Sequence, residues 1–477
     1  MSIDENTVFQ GKKDISSLSK DIAPQPVQKE TAPILPFESP PDYESSSFFG
    51  KILKILIGAI FLFIIGFLIF NFVAPKFLQN KNQKVTLLYW GLWEDKQVID
   101  PLIADFEKQN PNIKIDYTKQ DIKQYRERLT TRIGNGDGPD IFRFHNSWLP
   151  MFAEILVPLS SDTIKKEDFQ KWFYPVIQKD LVKNGAIYGI PLGIDTLALF
   201  VNTDSFKAAG VDIPKTWDDF SRVSRSLTVV DENGKIKNSG AAMGTFDNIT
   251  HAPDIISLLL IQNGTDLENF SKTSQNAIDA LTFYTSFAKD EGKVWDNNLD
   301  SSILAFAKGN LSMYFGYSWD VFTIKALNPD LKFAIYPVPH LPDRNTTIAS
   351  YWAEGVSAKS KHQKEALVFI KYLSQKETAQ KLFSEVAKTR FFGEPYARVD
   401  LADSLKDNPL VFPFVSQAND ASSSFFASDT FDDGLNAQMN AYIGNAVRSM
   451  LANTSAQSAV DTLTKGVDQI LGQYKLQ

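Results

Sequence analysis

The feature that most constrains this chain is an uncharged apolar run from Ile55 to Ala74. Seventeen of its 20 residues are apolar, and the other three are two glycines and one asparagine. A helix of this length spans about 30 Å, which is the thickness of the hydrocarbon core of a bilayer. Core helices of soluble proteins are seldom apolar on every face for five turns. The run therefore predicts a single transmembrane helix over residues 51–74.

A cleaved signal peptide is the alternative to a retained anchor. Signal peptides carry a short charged region before the apolar segment and a cleavage site of small residues after it. Here some 50 residues precede the run, and Pro75 follows it directly. We therefore expect the anchor to be retained. Its orientation is not decided by charge, because lysines flank it on both sides: Lys51 and Lys54 before it, and Lys76, Lys81 and Lys84 after it.

Composition divides the rest of the chain. Residues 1–50 contain six prolines and eight acidic against four basic residues, too little apolar surface to offset the entropy of ordering. We expect a disordered, Pro-rich acidic tail at 1–50, a linker at 75–84 and a globular domain at 85–477. The net charge of −7 argues against a nucleic-acid partner, since it leaves no broad basic surface.

The residues that most often carry chemistry are scarce or scattered. The chain has no cysteine and four histidines, which excludes disulfides, thiol nucleophiles, Cys-ligated metals and an acylated N-terminal cysteine. HExxH and GxSxG motifs are missing, and the glycine-rich turn 134–138 follows a predicted helix instead of opening one, unlike a phosphate-binding loop. We expect neither a metal nor a cofactor. A glycosidase carboxylate pair stays open, because 56 acidic residues offer many pairs.

From residue 85 onward, short apolar runs alternate with segments of helical spacing. Strands are predicted at Val85–Trp90, Ile113–Tyr117 and Ile141–Phe144, with a helix between each pair. This order predicts an α/β fold with a mainly parallel sheet, in which ligands bind beyond the carboxyl ends of the strands. Further along, residues 229–239 predict a hairpin and residues 435–471 a helical stretch.

Aromatic residues stand beside carboxylates and amides at several predicted strand ends. Sugars stack their apolar faces on aromatic rings and bond their hydroxyls to planar polar side chains, so this mixture suits a carbohydrate site. A single tryptophan is more often part of a core, and Trp172, Trp217 and Trp295 are assigned to it. The tryptophans at strand ends or glycine-rich turns are Trp90, Trp93, Trp148, Trp319 and Trp352.

Several segments of 85–477 form an ordered series. The most specific is the Tyr-Gly-Ile-Pro run within 185–191, followed by 199–206 and 209–220, with support from 132–142, 306–319 and 359–370. Together they resemble the family 1 extracellular solute-binding proteins, the maltose-binding-protein-like receptors of ABC importers. The resemblance implies a two-lobed, type II periplasmic-binding-protein-like fold, in which a hinge joins the lobes and ligand is held in the cleft between them.

The resemblance also implies limits for the lobes: 85–193 with 353–390 for the first, and 194–350 with 396–477 for the second. It implies a monomeric, non-enzymatic receptor that closes on its solute, partnered by ABC permease subunits, with the binding domain extracellular. Many Gram-positive relatives are tethered through an acylated cysteine, and residues 55–74 would replace that anchor here. A sugar, specifically an oligosaccharide, is favoured. A polyamine or metal ligand, a sensor that signals through the tail, and a surface-anchored glycosidase stay open.

Candidate site residues follow from the strand ends and from the resemblance. Asp195 matches a position where related sugar binders place a carboxylate, and Trp319 matches the family's stacking position. The predicted ligand-binding residues are Trp93, Glu94, Asp95, Phe144, Asn146, Trp148, Asp195, Asp247, Tyr317, Trp319, Trp352 and Arg390, with Asn248 as a neighbour of Asp247.

Overall fold

The computed structural model describes residues 48–73, 84–289 and 292–476. The disordered tail predicted at 1–50 lies outside these residues except for a helical turn at 48–50, and the linker predicted at 75–84 lies outside them except for Lys84. The chain divides into two compact units, Met1–Leu78 and Gln79–Gln477. Each unit is described by itself.

The described part of the first unit is one apolar helix. Helix α1 (Phe48–Leu68) continues into a π-helical turn at Ile69–Val73. Within Gly50–Asn71, the most apolar window of 18 residues has a mean hydropathy of 2.9 and no buried residue. The Asn71 amide is satisfied within the helix, since it donates to the Phe67 carbonyl at 3.0 Å. The helix is therefore long and apolar enough to cross a membrane.

The second unit contains many short strands. They are β1 (Val85–Gly91), β2 (Ile113–Lys119), β3 (Ile141–His145), β4 (Val182–Lys183), β5 (Ala186–Ile187), β6 (Ile190–Pro191), β7 (Asp195–Thr196), β8 (Ala198–Asn202), β9 (Val229–Val230), β10 (Ile236–Ala241), β11 (Leu311–Gly316), β12 (Phe333–Tyr336), β13 (Thr347–Ser350), β14 (Trp352–Val356) and β15 (Ala421–Ser422).

Helices surround these strands. They are α2 (Lys96–Gln109), α3 (Tyr125–Asn135), α4 (Leu149–Phe152), α5 (Lys166–Trp172), α6 (Pro175–Leu181), α7 (Thr203–Ala209), α8 (Trp217–Ser226), α9 (Ala252–Gln262), α10 (Ser274–Ser286), α11 (Ser302–Ala307), α12 (Asp320–Leu327), α13 (Gln363–Leu373), α14 (Lys376–Val386), α15 (Phe412–Ser416), α16 (Leu435–Leu451) and α17 (Ala456–Gln473).

Two sheets, each with its own apolar core, form two lobes. Lobe 1 is built on the order β2-β1-β3-β14-β6, and lobe 2 on β12-β8-β11-β10-β9. In lobe 1, β1 pairs parallel with β2 and β3, while β14 joins antiparallel. Every residue of β3 is buried, as expected for a strand covered on both faces. The predicted two-lobed α/β fold is confirmed, and the residue limits of the lobes stay predictions.

The lobes are joined by crossing segments that pair with one another. Strand β7 pairs antiparallel with β13, so that Asp195 lies opposite Ser350. Beside them, the Ile194 N–H donates to the Pro395 carbonyl at 2.9 Å. These bonds tie three crossings of the chain together at the base of the space between the lobes.

Two later predictions are confirmed by the structure. The hairpin at 229–239 forms, since β9 pairs antiparallel with β10 and Gly234 takes the left-handed conformation of the turn at φ 75°. The C-terminal stretch is helical as predicted, and it divides into the two helices α16 and α17. Asn453 adopts φ 68°, and the Ser455 side chain accepts from the Ser458 N–H to begin α17. The break between the two helices is therefore marked by a left-handed residue and by an N-cap at the start of α17.

Candidate ligand-binding cavity

A cavity of about 460 Å³ lies between the two lobes. Its walls come from the segments that follow β1 and β11, from the start of β14 and from the crossings, so both sheets present strand ends to it. The residues that line it are Trp93, Glu94, Arg143, Leu192, Gly193, Ile194, Asp195, Thr250, Ser318, Trp319, Asp320, Phe322, Ser350, Tyr351, Trp352, Arg390, Phe392, Gly393, Glu394, Pro395, Asp429 and Phe431.

Lobe 1 contributes an aromatic wall of two tryptophans. Trp93, just after β1, meets Trp352 edge to face with ring centroids 5.6 Å apart. Behind Trp352 lie the buried rings of Trp148 at 5.2 Å and His145 at 5.1 Å. The buried pair fixes the orientation of Trp352, and the half-buried indoles of Trp93 and Trp352 keep surface on the cavity side.

Lobe 2 contributes a second aromatic surface. Trp319, two residues after Tyr317, stacks on that ring with centroids 4.4 Å apart and planes 17° from parallel. Tyr317 is fully buried, and its hydroxyl donates to Asp254 at 2.8 Å. One face of Trp319 is therefore covered by a fixed ring, while the residue still lines the cavity.

A buried charge triad lies at the lobe 1 end of the cavity. Arg143, in the middle of β3, donates to Glu94 and to Glu354, both at 2.6 Å. The register of the sheet brings them together, since Glu354 of β14 lies opposite Arg143. Burial opposes the charge of Arg143, but the two carboxylates outweigh it and raise its pKa. The guanidinium therefore stays charged although its side chain is only 3% exposed.

A second ion pair lies in the crossing that follows α14. Arg390 donates to Glu394 at 2.6 Å, and its guanidinium lies over the Phe322 ring of lobe 2 at 5.6 Å from the centroid. It also reaches the Trp93 carbonyl at 3.5 Å. Arg390 thus contacts both lobes from the cavity wall.

Asp195 joins a crossing strand to lobe 2. Its carboxylate accepts from the Thr196 N–H and the Ser318 N–H, each at 2.9 Å, and from the Ser318 hydroxyl. Burial raises the pKa of Asp195 and the nearby Glu394 adds to the effect, although the hydrogen bonds oppose it. Asp195 is consequently a buried acceptor, and its partner Ser318 lies in the loop that also carries Trp319.

A histidine that the sequence did not single out lies beneath the lobe 2 aromatics. His251 is fully buried, meets Tyr317 edge to face at 5.0 Å and bonds to Asp320 at 2.8 Å. Burial alone would lower the pKa of His251, but the carboxylates of Asp320, Asp429 and Asp254 raise it to about 9. A protonated histidine therefore supports the surface under Trp319.

The structure brings six of the predicted site residues to the cavity. Their shared feature is a position directly after a strand, at a strand start or in a crossing segment. They are Trp93, Glu94, Asp195, Trp319, Trp352 and Arg390. Direct contact with a ligand stays a prediction for each of them.

The other six do not line the cavity, so the expectation that they form its walls is corrected. Phe144 and Trp148 belong to the lobe 1 core, because β3 is covered on both faces and the turn that follows it buries Trp148 completely. Tyr317 supports Trp319 from below, and the buried Asn146 amide donates to Asp180 at 2.9 Å.

Asp95 and Asp247 are held by surface cations instead. Asp95 pairs with Lys119 at 2.8 Å, and Asp247 pairs with Arg448 of α16 at 2.8 Å. Both carboxylates are more than half exposed. Asn248, beside Asp247, donates its amide to the Asp296 carbonyl at 2.9 Å and also stays outside the cavity.

Sixteen of the 22 lining residues were not among the predicted site residues, and Arg143, Asp320 and Phe431 differ in the signal that their sequence offers. Arg143 carries a usable signal, since a charge inside the apolar strand 141–145 requires a partner. Asp320 directly follows Trp319 and begins α12, so its position beside a predicted site residue was a usable signal. Phe431 follows no strand and gives no comparable signal.

Across residues 48–73, 84–289 and 292–476, the acidic and histidine side chains form no cluster of three or more arranged to hold a metal ion. Among the carboxylates at the cavity, Glu94 and Glu394 are engaged by arginine, Asp195 by hydroxyl and amide donors, and Asp320 and Asp429 by His251.

Two mixed α/β lobes that line one cavity define a two-lobed ligand-binding protein. Residues 90–380 match the model of the bacterial extracellular solute-binding protein family. The chain belongs to this family.

Individual relatives agree with this assignment. The chain is 25% identical to the multiple sugar-binding protein of Streptococcus mutans over 338 residues, 64% of this chain and 74% of that protein. The sugar-binding protein MalE of Xanthomonas citri has a similar fold, with a TM-score of 0.68, 21% identity and coverage of 82% of this chain and 98% of its own. An ABC substrate-binding protein of Listeria monocytogenes in complex with cycloalternan gives a TM-score of 0.63, 20% identity and coverage of 82% and 100%.

Proposed function

We propose that this protein binds a saccharide between its two lobes and delivers it to an ABC importer. The observation that carries the proposal is the pair of aromatic surfaces on opposite lobes, Trp93 with Trp352 and Trp319 on Tyr317, facing one cavity. A pyranose has an apolar C–H face that stacks on such rings, and two facing surfaces hold a ring from both sides. The cavity volume lies within the usual range for small-molecule sites.

The polar groups suit sugar hydroxyls. Hydroxyls both donate and accept, and the cavity offers carboxylates together with guanidinium groups from Arg143 and Arg390. Because these groups are already fixed by one another, they are pre-organised and lose little entropy when a ligand binds. The names of relatives support the same class, since one is a multiple sugar-binding protein and another is bound to cycloalternan. The proposed ligand is an oligosaccharide.

Binding without turnover is proposed for the same geometry. Hydrolysis of a glycosidic bond requires one carboxylic acid and one carboxylate free to act on the bond. At this cavity Glu94 is held by Arg143 and Glu394 by Arg390, while Asp195 accepts hydrogen bonds from Ser318 and Thr196. The two remaining carboxylates, Asp320 and Asp429, pair with His251 at 2.8 Å and 3.5 Å. Engaged carboxylates favour a binding site over a catalytic one.

The test is a thermal-shift screen of the full chain in lipid nanodiscs against mono- and oligosaccharides. Sugar-headed detergents are avoided, because their head groups could occupy the cavity. A ligand that binds only the folded state raises the melting temperature by mass action. We expect at least one saccharide to do so in a saturable manner, without products on chromatography. No shift with any saccharide would contradict the ligand class, and released products would contradict the absence of catalysis.

The apolar helix Phe48–Leu68 is proposed to tether the binding domain to the membrane, with that domain extracellular, monomeric and served by permease subunits. The support is the exposed, apolar surface of the helix along Gly50–Asn71. We expect the full chain to stay in the membrane fraction after an alkaline wash, and external protease to degrade the domain on intact cells. A mature protein released into the medium and beginning near residue 75 would show a cleaved signal instead.

A further inference from the structure

Phe431 stands out among the residues that line the cavity. Its side chain is 45% exposed, although large apolar side chains are usually buried, and its backbone adopts φ 50°. Asp429, two residues earlier, adopts φ 55°. The left-handed region is unfavourable for residues with a Cβ, and such conformations persist where the surroundings impose them. The segment therefore holds an apolar ring in a doubly unfavourable place.

Hydrogen bonds on both sides impose this conformation. On the N-terminal side, the Ser428 N–H donates to Asp254 at 2.9 Å. On the C-terminal side, the Asp432 carboxylate accepts from the N–H groups of Asn436 and Ala437, each at 3.2 Å, where α16 begins. Residues 429–431 thus bridge two anchors within lobe 2, and Phe431 projects from the bridge.

The Phe431 ring meets the opposite lobe. Its centroid lies 6.2 Å from that of Trp93, with the planes tilted by 52°. Trp93 belongs to lobe 1, and both residues line the cavity. This contact between Phe431 and Trp93 leaves almost half of Phe431 exposed, so it contributes little to the core of either lobe.

We propose that Phe431 covers one end of the cavity and retains the bound saccharide. With Trp93 it forms an aromatic closure supplied from both lobes, and its ring contacts the C–H face of a sugar unit at that end. Removing the ring opens this end, so dissociation accelerates while association changes little. The inference rests on the saccharide-binding function proposed above.

The experiment measures association and dissociation rates by stopped-flow tryptophan fluorescence on the full chain in nanodiscs, with the saccharide that gives the largest thermal shift. We expect Phe431→Ala to raise the dissociation rate at least tenfold and to change the association rate less than threefold. Phe431→Tyr, which keeps the ring, should stay within threefold of wild type in both rates.

Phe431→Gly separates the role of the ring from backbone strain. Glycine accepts φ 50° without a Cβ penalty. This variant should release saccharide as fast as Phe431→Ala. Without ligand, its melting temperature should equal or exceed that of Phe431→Ala. The matched control is Phe391→Ala, because Phe391 is 62% exposed and lies outside the cavity lining. It should keep the wild-type dissociation rate.

The outcomes separate this inference from the function on which it rests. If the wild type binds saccharide in a saturable manner and Phe431→Ala releases it at the wild-type rate, the role of Phe431 is overturned. The proposed function would still stand. Equal acceleration in Phe391→Ala would also overturn it, since any exposed ring at the crossings would then suffice. A wild-type protein that binds no saccharide would overturn both.

Discussion

The indole of Trp319 lies on the phenol ring of Tyr317, with centroids 4.4 Å apart and planes 17° from parallel. Tyr317 cannot turn away easily, because it is buried and its hydroxyl donates to Asp254 at 2.8 Å. Trp319 is therefore held in place before any ligand arrives. Such pre-organisation lowers the entropic cost of stacking a sugar on the exposed face of the indole.

Replacing Trp319 tests that surface. We expect Trp319→Ala to weaken saccharide binding at least tenfold, about 1.4 kcal/mol, because a central aromatic contact is lost. Trp319→Phe should give an intermediate affinity. The matched control is Trp172→Ala. The Trp172 ring lies 4.5 Å from the Arg398 guanidinium and does not line the cavity. Titration calorimetry measures all three, and an unchanged affinity in Trp319→Ala would contradict the stacking role.

The buried triad predicts a large stability effect. Arg143→Met leaves Glu94 and Glu354 buried without their cation, so we expect the free energy of unfolding to fall by about 3–5 kcal/mol. Arg448→Met, which breaks the exposed pair with Asp247, should cost less than about 1 kcal/mol. Urea unfolding of the compact unit Gln79–Gln477 measures both. Equal losses in the two variants would contradict the assignment of a buried, mutually dependent charge cluster.

The His251 cluster predicts a dependence of stability on pH. Asp320, Asp429 and Asp254 raise the pKa of His251 to about 9 against burial, whereas an unperturbed histidine titrates near 6.5. Because the folded pKa is the higher one, this contribution is fully present below pH 6.5 and is lost as the pH rises toward 9. Its full size is about 3 kcal/mol. We expect the unfolding free energy of wild type to decline across this window.

Two histidine variants isolate that effect. His251→Gln should remove most of the decline between pH 6.5 and 9, since glutamine does not titrate. His145→Gln should leave the decline in place, because burial lowers the pKa of His145 to about 3 and the residue is neutral throughout the window. Urea unfolding at several pH values measures both. If the unfolding free energy declines by the same amount in His251→Gln, groups other than His251 cause the decline.

The absence of cysteine from the chain allows a direct test of lobe movement. Lys108 of lobe 1 and Lys235 of lobe 2 are exposed, so each accepts a cysteine for spin labelling without competing sites. We expect a saturating saccharide to shift the interlobe distance distribution toward one population, because ligand contacts both walls of the cavity. Pulsed electron resonance measures the distances. Identical distributions with and without ligand would contradict closure.

The parts of the fold that follow from local pattern were predictable. The strands at 85–91 and 141–145 are short, mostly apolar runs between helical segments, and the parallel pairing of β1 with β2 and β3 follows from their order. Asp195 was predicted from the family resemblance and Trp93 from the rule that ligands bind beyond strand ends, and both line the cavity. The same rule placed Phe144 and Trp148 at the cavity wrongly, because it does not show which side chains turn into the core.

Pairings distant in sequence were not predictable. Arg143 and Glu354 are 211 residues apart, and only the antiparallel register of β14 with β3 joins them. Asp247 was predicted at the site, but Arg448, 201 residues further along, holds it at the surface. Phe431 lies in an irregular segment whose conformation depends on anchors in α9 and α16, so no local pattern marks it.

The most direct test of the central claim is isothermal titration of the full chain in nanodiscs with the saccharide that gives the largest thermal shift. The account predicts a saturable heat with one saccharide bound per chain, and at least tenfold weaker binding in Trp319→Ala under the same conditions. The absence of saturable heat with every saccharide, or equal affinity in Trp319→Ala, would contradict a saccharide held between the two lobes.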